Sequence, residues 1–439
     1  MSELINKATQ VLEKAHAMGA QEVGVSIARG SHTTLTYRDG TIEQASEAST
    51  QGMSVALMVN DRYSGHSTSD LRPAALDAFL TQAIAATQWL EEDPDRAQAP
   101  GLECGRGISQ DELDQLDPSW PGVSAEDRNQ QAKEMYESVN THRADDVISV
   151  TSFYADGMSE TARVMSNGFS DSSQGAWFTK GGGLTLNEGT KRPRGDSYYA
   201  ARHQADLPPM ERIAAEVNER ARERLGAGPI ASGVYPMLLQ NRSAGRILGI
   251  LGGPLSGASL FEGRSCLAEQ LGQQIGSELF TIVDDPLIPR GLGSRPWDGD
   301  ARIAKPQTIV EKGRLKSYYI NTYYGRKLSC GPTTGGRSNW IIPPGQDSWE
   351  TMTKPLPKAI LVNGFLGGNA NGITGDFSFG ISGVLLENGV PTQSISEMNV
   401  TGNLLSIFHR LVGVANDPWE WSALRSPTLL FDDIQFSGT

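Results

Sequence analysis

Short runs of β-branched and aromatic residues, each closed by a turn rich in Gly, Asn or Asp, recur along this chain and commit much of it to antiparallel sheet. The clearest pair is 33–37 and 41–48, joined by Arg38-Asp39-Gly40, because Asp and Gly accept the positive φ angles of a tight hairpin. A second pair, 53–59 and 63–68, is joined by Asn60-Asp61-Arg62, and 22–28 reads as a further strand. The 49 glycines among 439 residues exceed the usual share of about 7%. Later turn signals stand at Glu311-Lys312-Gly313, Gly335-Gly336 and Glu387-Asn388-Gly389.

Helical periodicity is confined to a few places. Leu4, Ile5, Ala8, Val11, Leu12 and Ala15 form one stripe of a first helix that Ser2 can cap and Gly19 ends. Leu76, Phe79, Leu80, Ile84 and Leu90 do the same over 73–91, and 125–140 and 211–225 read as two more helices, the last with a solvated, charge-alternating face. Helix, antiparallel sheet and helix make an α+β unit. The chain is too long for one core, since single cores stop growing near about 250–300 residues. We therefore expect an N-terminal α+β domain at 1–92, an acidic, Pro- and Gly-rich linker at 93–122, a middle α+β domain at 123–228 with strands at 147–154 and 161–166, and a C-terminal domain at 229–439 built on a curved antiparallel sheet or partly closed barrel.

The stretch 233–265 is the best candidate for a site. An apolar strand, 234–239, runs into Asn241 and then into a helical spacing of Ala244, Ile247, Leu248 and Leu251, which presents Asn241, Arg242 and Arg246 at a strand-to-helix junction. On a helix the two arginines share a face and either grip a carboxylate or pair with acids such as Glu262 or Asp284. Thr374 and Asp376, in a glycine-rich segment, either contact substrate or a partner along a cleft or hold a hairpin. Asp284-Asp285-Pro286 is either an acid pair for general catalysis or a capped turn. Gly181-Gly182-Gly183 reads as a plain turn, since it lacks the Lys and hydroxyl of a phosphate loop. Trp340, Trp419 and Trp421 are either interface anchors or buried packing. The six histidines are scattered and show no zinc-protease spacing.

Several stretches together carry a family likeness: 37–70, SELFTIVDDP at 277–286, IVEKGRLKSYYINTYYGRKL at 309–328, GITGDFSFGISGVLLENG at 372–389 and MNVTGNLLSIFHRLVGVANDP at 398–418. With the junction at 233–265 they resemble the TldD/PmbA family, also called modulators of DNA gyrase, over nearly the whole chain. In the TldD branch a His-Glu-x-x-x-His motif stands at this junction and a Cys near the C-terminus adds a further metal ligand. Here the matching positions are Asn241, Arg242 and Arg246, and the Cys position falls at or near Ser426. Guanidinium groups are donors only and repel a cation. The resemblance therefore points to the TldE/PmbA branch.

It implies a subunit without a metal or other cofactor of its own, in a heterodimer whose TldD-like metallopeptidase partner holds zinc or a similar divalent metal. It further implies proteolysis of small or unfolded polypeptides, including peptide precursors and antitoxin-like proteins. A noncatalytic peptide- or protein-binding homo-oligomer and an autonomous hydrolase remain alternatives. A net charge of −13 disfavours direct nucleic-acid binding. Three scattered cysteines, no signal-like N-terminus and no long apolar run lead us to expect a cytoplasmic protein away from the membrane.

Overall fold

The computed structural model describes residues 3–438, so Ser2, the expected first cap, lies outside the described residues. The first half is built on one sheet: β1 (Glu22–Arg38), β2 (Thr41–Val59), β3 (Arg62–Thr68), β4 (Val147–Met165), β5 (Ser170–Leu186) and β6 (Arg194–Ala201), in the order β3-β2-β1-β4-β5-β6. The strands of the two expected units are thus hydrogen-bonded into a continuous surface, because β1 pairs antiparallel with β4 from Gly24 opposite Met165 to Arg38 opposite Thr151. The expected strands 22–28 and 33–37 are one strand, and 41–48 and 53–59 are another. Gly30 does not break β1, because it serves close approach: a Cβ there would lie 2.9 Å from the Met158 carbonyl of β4. Asp39 and Gly40 both adopt positive φ, as do Asn60 and Asp61, so both hairpin turns form where their residues favour them.

Val23, Val25, Ile27, Leu35 and Tyr37 of β1 are buried, so the odd-numbered face of the sheet carries the apolar packing at both ends of the strand. At one end Val23, Val25, Ile27, Val55 and Leu57 meet the helices Glu3–Ala17 and Pro73–Thr87. At the other, Val150, Tyr154, Phe178 and Tyr199 meet the helices Ala125–Asn140 and Met210–Arg222. Each large side chain buried in this way contributes about 1.5–3 kcal/mol. Gly181-Gly182-Gly183 corrects the expected turn, since it lies inside β5. A Cβ on Gly181 would stand 2.5 Å from the Ser197 carbonyl and one on Gly182 2.7 Å from Val139, so the glycines let a helix and a neighbouring strand come close. The segment 93–122 is mostly irregular and is tied down: Lys327 pairs with Asp93 and Asp95, and Arg326 donates to the carbonyls of Asp95, Ala97 and Gln98.

The second half adds β7 (Gly233–Leu239), β8 (Ile282–Asp284), β9 (Gln307–Glu311), β10 (Arg314–Leu315), β11 (Trp340–Ile341), β12 (Lys358–Ala370), β13 (Asp376–Glu387), β14 (Val390–Asn403), β15 (Leu411–Val414), β16 (Leu424–Arg425) and β17 (Leu429–Ser437). One sheet runs β14-β13-β12-β7-β17-β15, and a further pairing of β14 with β17 at 399–401 curls it into a partly closed five-strand barrel. Register shifts between β12 and β13 and between β13 and β14 supply the curvature. The fold is therefore α+β with mainly antiparallel sheets, as expected, although β7 and β12 run parallel.

A smaller sheet, β10-β9-β8-β11-β16, packs beside the barrel around a buried polar chain. Trp340 donates to the Tyr319 hydroxyl, Tyr319 donates to Asp284 Oδ2 at 2.9 Å, and the Ser338 backbone N–H donates to Asp284 Oδ1 at 2.8 Å. Asp284 is 1% exposed, and burial pushes its carboxyl pKa up against these bonds. Asp285 instead accepts from the Leu287 N–H, the cap of a turn. Asp284→Ala removes the acceptor from several buried donors, so a loss of about 1–3 kcal/mol of stability is expected in chemical denaturation. Asp284→Asn, which keeps one acceptor oxygen, should lose less.

Candidate functional site

The strand-to-helix junction is held by the C-terminal segment rather than by a long helix. The Asn241 N–H donates to Thr428 Oγ1 at 3.2 Å, and its side-chain Nδ2 donates to the Asp417 carbonyl at 2.8 Å. Asp417 in turn accepts from the Thr428 N–H and hydroxyl, each at 2.8 Å. Ser426, on the same segment, is fully buried and donates to the Pro427 carbonyl at 2.7 Å. The expected helix shrinks to Gly245–Leu248 followed by a 3₁₀ turn, Gly249–Gly252. Glycines at 245, 249, 252 and 253 weaken any longer helix, yet Ala244, Ile247, Leu248 and Leu251 are all buried as their spacing implies.

Arg242 and Arg246 do not share a face. Arg242 reaches back to the first half of the chain: Nη1 donates to Ser197 Oγ at 2.9 Å and Glu216 Oε2 at 2.8 Å, and Nη2 donates to the Tyr198 carbonyl at 2.7 Å. Its guanidinium also lies 4.0 Å from the Trp419 ring centre and 5.0 Å from that of Tyr199. Arg246 turns to the barrel, with Nη2 3.4 Å from the Gly368 carbonyl and its guanidinium 4.6 Å over Phe379. The ion pairs expected with Glu262 or Asp284 are not formed, because Glu262 pairs with Arg264 and Asp284 lies in the core. Sequence reading missed Glu216, which hides in a helix whose charge alternation suggested plain solvation.

Burial, reinforced by Arg220, lowers the Arg242 pKa, and Glu216 works against that. Burial alone would raise the Glu216 carboxyl, but hydrogen bonds from Tyr199 and Ser197 and the Arg242 charge outweigh it and leave the group below its ordinary value. Tyr199 is pushed up to about 12 by burial and by its bond to Glu216. Trp419 packs at a tilt and Trp421 edge-on against Tyr199, each with ring centres 4.9 Å away, so these two candidate anchors pack within the chain. Trp340 is buried.

Glu216, Asn241, Arg242, Trp419 and Trp421 border a cleft of about 750 Å³ whose walls also include Arg220, Glu219, Trp349 and Gln240. That size suits a small-molecule or peptide segment. Its arginines and acids are interleaved and its aromatic planes are rigid, a lining able to hold an extended polar chain. No His or Cys lines it, and among the described residues no group of three or more His, Cys, Asp or Glu side chains is placed to share a metal ion. The donor set at 241, 242 and 246 does not fit a metal, since two positions are guanidiniums and the Asn241 amide is engaged by Asp417. Thr374 and Asp376 lie elsewhere, at the turn between β12 and β13. There Asp376 accepts from Asn403 Nδ2 at 2.7 Å and its N–H donates to Thr374 Oγ1 at 3.3 Å.

Arg242→Ala strands Glu216 half-buried, and a loss of about 1–3 kcal/mol is expected in equilibrium unfolding. The folded pKa of Glu216 is depressed, so its contribution is full above the ordinary carboxylate range and is lost as pH falls through the folded value. The gap in melting temperature between wild type and Arg242→Ala should therefore narrow between about pH 6 and about pH 3.

Comparison with known proteins places the chain. The C-terminal domain of the PmbA/TldA metallopeptidases matches residues 232–438, and domain 1 of those proteins matches residues 23–87. The metalloprotease PmbA of Escherichia coli O157:H7 is 24% identical over 427 residues, 94% of this chain and 92% of that one. A crystal structure from Bacteroides thetaiotaomicron, of a protein named as a candidate modulator of DNA gyrase, superposes over 100% of both chains with a TM-score of 0.95 and 32% identity. TldE from Thermococcus kodakarensis shares the fold, with a TM-score of 0.85 and 16% identity over 98% of this chain and 100% of its own. Two matched domains and a superposition over its whole length at 32% identity show that this chain belongs to the PmbA/TldD metallopeptidase family.

Proposed function

We propose that this chain is a TldE/PmbA-type subunit that binds no catalytic metal and works in a heterodimer with a TldD-like metallopeptidase, on small or unfolded polypeptides. The observation that carries the reading is the occupation of the junction by Arg242, whose guanidinium is committed to Glu216, Ser197 and Tyr198 where the resemblance puts a metal-motif carboxylate. A buried cation there repels a divalent ion and at the same time braces the C-terminal domain against the sheet. The partner supplies zinc or a similar metal. This chain supplies a wall of the chamber, with the cleft beside Asn241 and Arg242 receiving extended peptide and Arg246, Thr374 and Asp376 lying on a second surface for substrate or partner.

A cytoplasmic setting accords with the three cysteines, which are unpaired in the structure. Among the described residues no helix is long and apolar enough to cross a membrane. The net charge of −13 disfavours direct contact with DNA. A second reading, a homo-oligomeric peptide-binding protein, is favoured by the aromatic and charge-balanced cleft, which needs no metal to hold a chain.

Elemental mass spectrometry of the untagged, dialysed protein should find less than about a tenth of an equivalent of zinc, nickel, iron or manganese per chain. About one equivalent would overturn the assignment to a metal-free subunit. Addition of the chain to a purified TldD-like partner should raise hydrolysis of an unstructured peptide by about tenfold or more; equal hydrolysis without it would sink the heterodimer reading. A stable homo-oligomer with no partner recovered from the native host would favour the second reading.

A further inference from the structure

We propose that Asn371, in the turn between β12 and β13, is a site of self-modification: the backbone nitrogen of Gly372 attacks its side-chain amide and closes a succinimide, which water reopens to aspartate or isoaspartate. Four Asn-Gly pairs occur in the chain, with asparagine at 167, 363, 371 and 388. Glycine in second place leaves the attacking nitrogen unhindered in all four. The fold then treats them differently.

At Asn371 the turn aims three backbone N–H groups at the two oxygens that take up charge. The Ile373 and Thr374 N–H groups donate to Asn371 Oδ1 at 2.9 and 3.4 Å, and the Gly375 N–H donates to the Asn371 main-chain carbonyl at 2.8 Å. Gly375 reaches that place at a φ of +83°, a conformation open to glycine. The attacking N–H of Gly372 forms no hydrogen bond among the described residues. A Cβ at Gly372 would meet nothing nearer than Pro254 at 3.6 Å, and Asn371 is exposed, so water reaches the turn. The other pairs lack this arrangement. Asn167 Oδ1 accepts from the Phe169 N–H, but the Gly168 N–H is committed to the Met165 carbonyl and the Asn167 amide to that of Ala99. Asn363 is held by Glu223 and Ser382. Asn388 is exposed and its N–H donates to the Pro357 carbonyl, with no donor on its side chain among the described residues.

Loss of the Gly372 N–H proton to solvent hydroxide leaves negative charge shared between that nitrogen and the Asn371 carbonyl oxygen, which the Gly375 N–H faces. The nitrogen then bonds to Asn371 Cγ, and the charge moves to Oδ1, which the Ile373 and Thr374 N–H groups face. Donors fixed in advance at both oxygens lower the barrier. The Cγ–Nδ2 bond breaks, and Nδ2 takes a proton from water and leaves as ammonia. One water opens the ring: attack at Cγ gives aspartate, and attack at the main-chain carbonyl carbon gives isoaspartate. Aspartate keeps the turn, since a carboxylate accepts from the same N–H groups more strongly than an amide does. Isoaspartate adds a methylene to the backbone between the Asn371 N–H, bonded to the Asp376 carbonyl at 2.8 Å, and the Gly372 carbonyl, bonded to the Cys266 N–H at 2.9 Å. Either product adds one negative charge to the surface that carries Thr374 and Asp376.

The test is incubation of the full chain at mildly alkaline pH, folded and in concentrated guanidinium chloride, with peptide mapping by mass spectrometry to follow the amide-to-acid change at each Asn-Gly pair. In the folded chain Asn371 should react faster than Asn167, Asn363 and Asn388 by about tenfold or more. It should also outpace itself in the denatured chain, where only the local sequence acts. Gly372→Ala, which crowds the attacking nitrogen and leaves the three donors in place, should slow position 371 alone. Equal rates at Asn371 in the folded and denatured chains overturn the proposal, as does a folded-state rate no greater than that of exposed Asn388. An undiminished rate in Gly372→Ala would mean direct hydrolysis of the amide and overturns it too.

Discussion

The antiparallel ladder between β1 and β4 is the constraint on which the rest of this molecule depends. It joins strands separated in sequence by more than a hundred residues into one sheet, and so places two helix pairs on a common face. Everything on the opposite face follows from that continuity. The C-terminal domain reaches that half of the molecule through contacts such as Arg163 with the Asp298 and Gly299 carbonyls, Arg302 with Glu103 and Arg242 with β6. Crevices at such junctions persist where polar groups, rather than apolar side chains, meet.

Arg242 concentrates the chemistry of the second junction. In one residue it pairs with Glu216, lies over the Trp419 ring and bonds to Ser197 and Tyr198 of β6. A lone charge in that place would be costly, and the Glu216 carboxylate, two hydrogen-bond acceptors and an aromatic face offset its desolvation. These contacts make Arg242 a structural tie between the two halves of the chain. Asn241 is also tied down, since its amide is bonded to Asp417 and its N–H to Thr428.

Much of the fold is legible in the residues because its signals are local. Asp39-Gly40 and Asn60-Asp61 turn the chain wherever they stand, as their positive φ angles show. The buried stripe of the first helix follows from its period. The site is less legible. Arg242 and Arg246 stand four apart, and a regular helix would aim them together, but glycines shorten the helix and the two side chains diverge. Glu216 carries no local mark of function, because its depressed pKa comes from Tyr199, Ser197 and Arg242, which only folding brings to it.

The sequence by itself determined the turns, the amphipathic helix, the sheet-rich C-terminal domain and the absence of ligand-type side chains at 241, 242 and 246. These depend on backbone preferences, side-chain periodicity and the donor chemistry of single residues, all readable over a few positions. Only the tertiary structure decided that Gly181-Gly182-Gly183 is a close contact instead of a turn and that Asp284 is a buried acceptor. Those outcomes depend on which distant strand or loop arrives opposite a residue. Contacts of that kind arise from packing across long sequence separations, which no local pattern encodes.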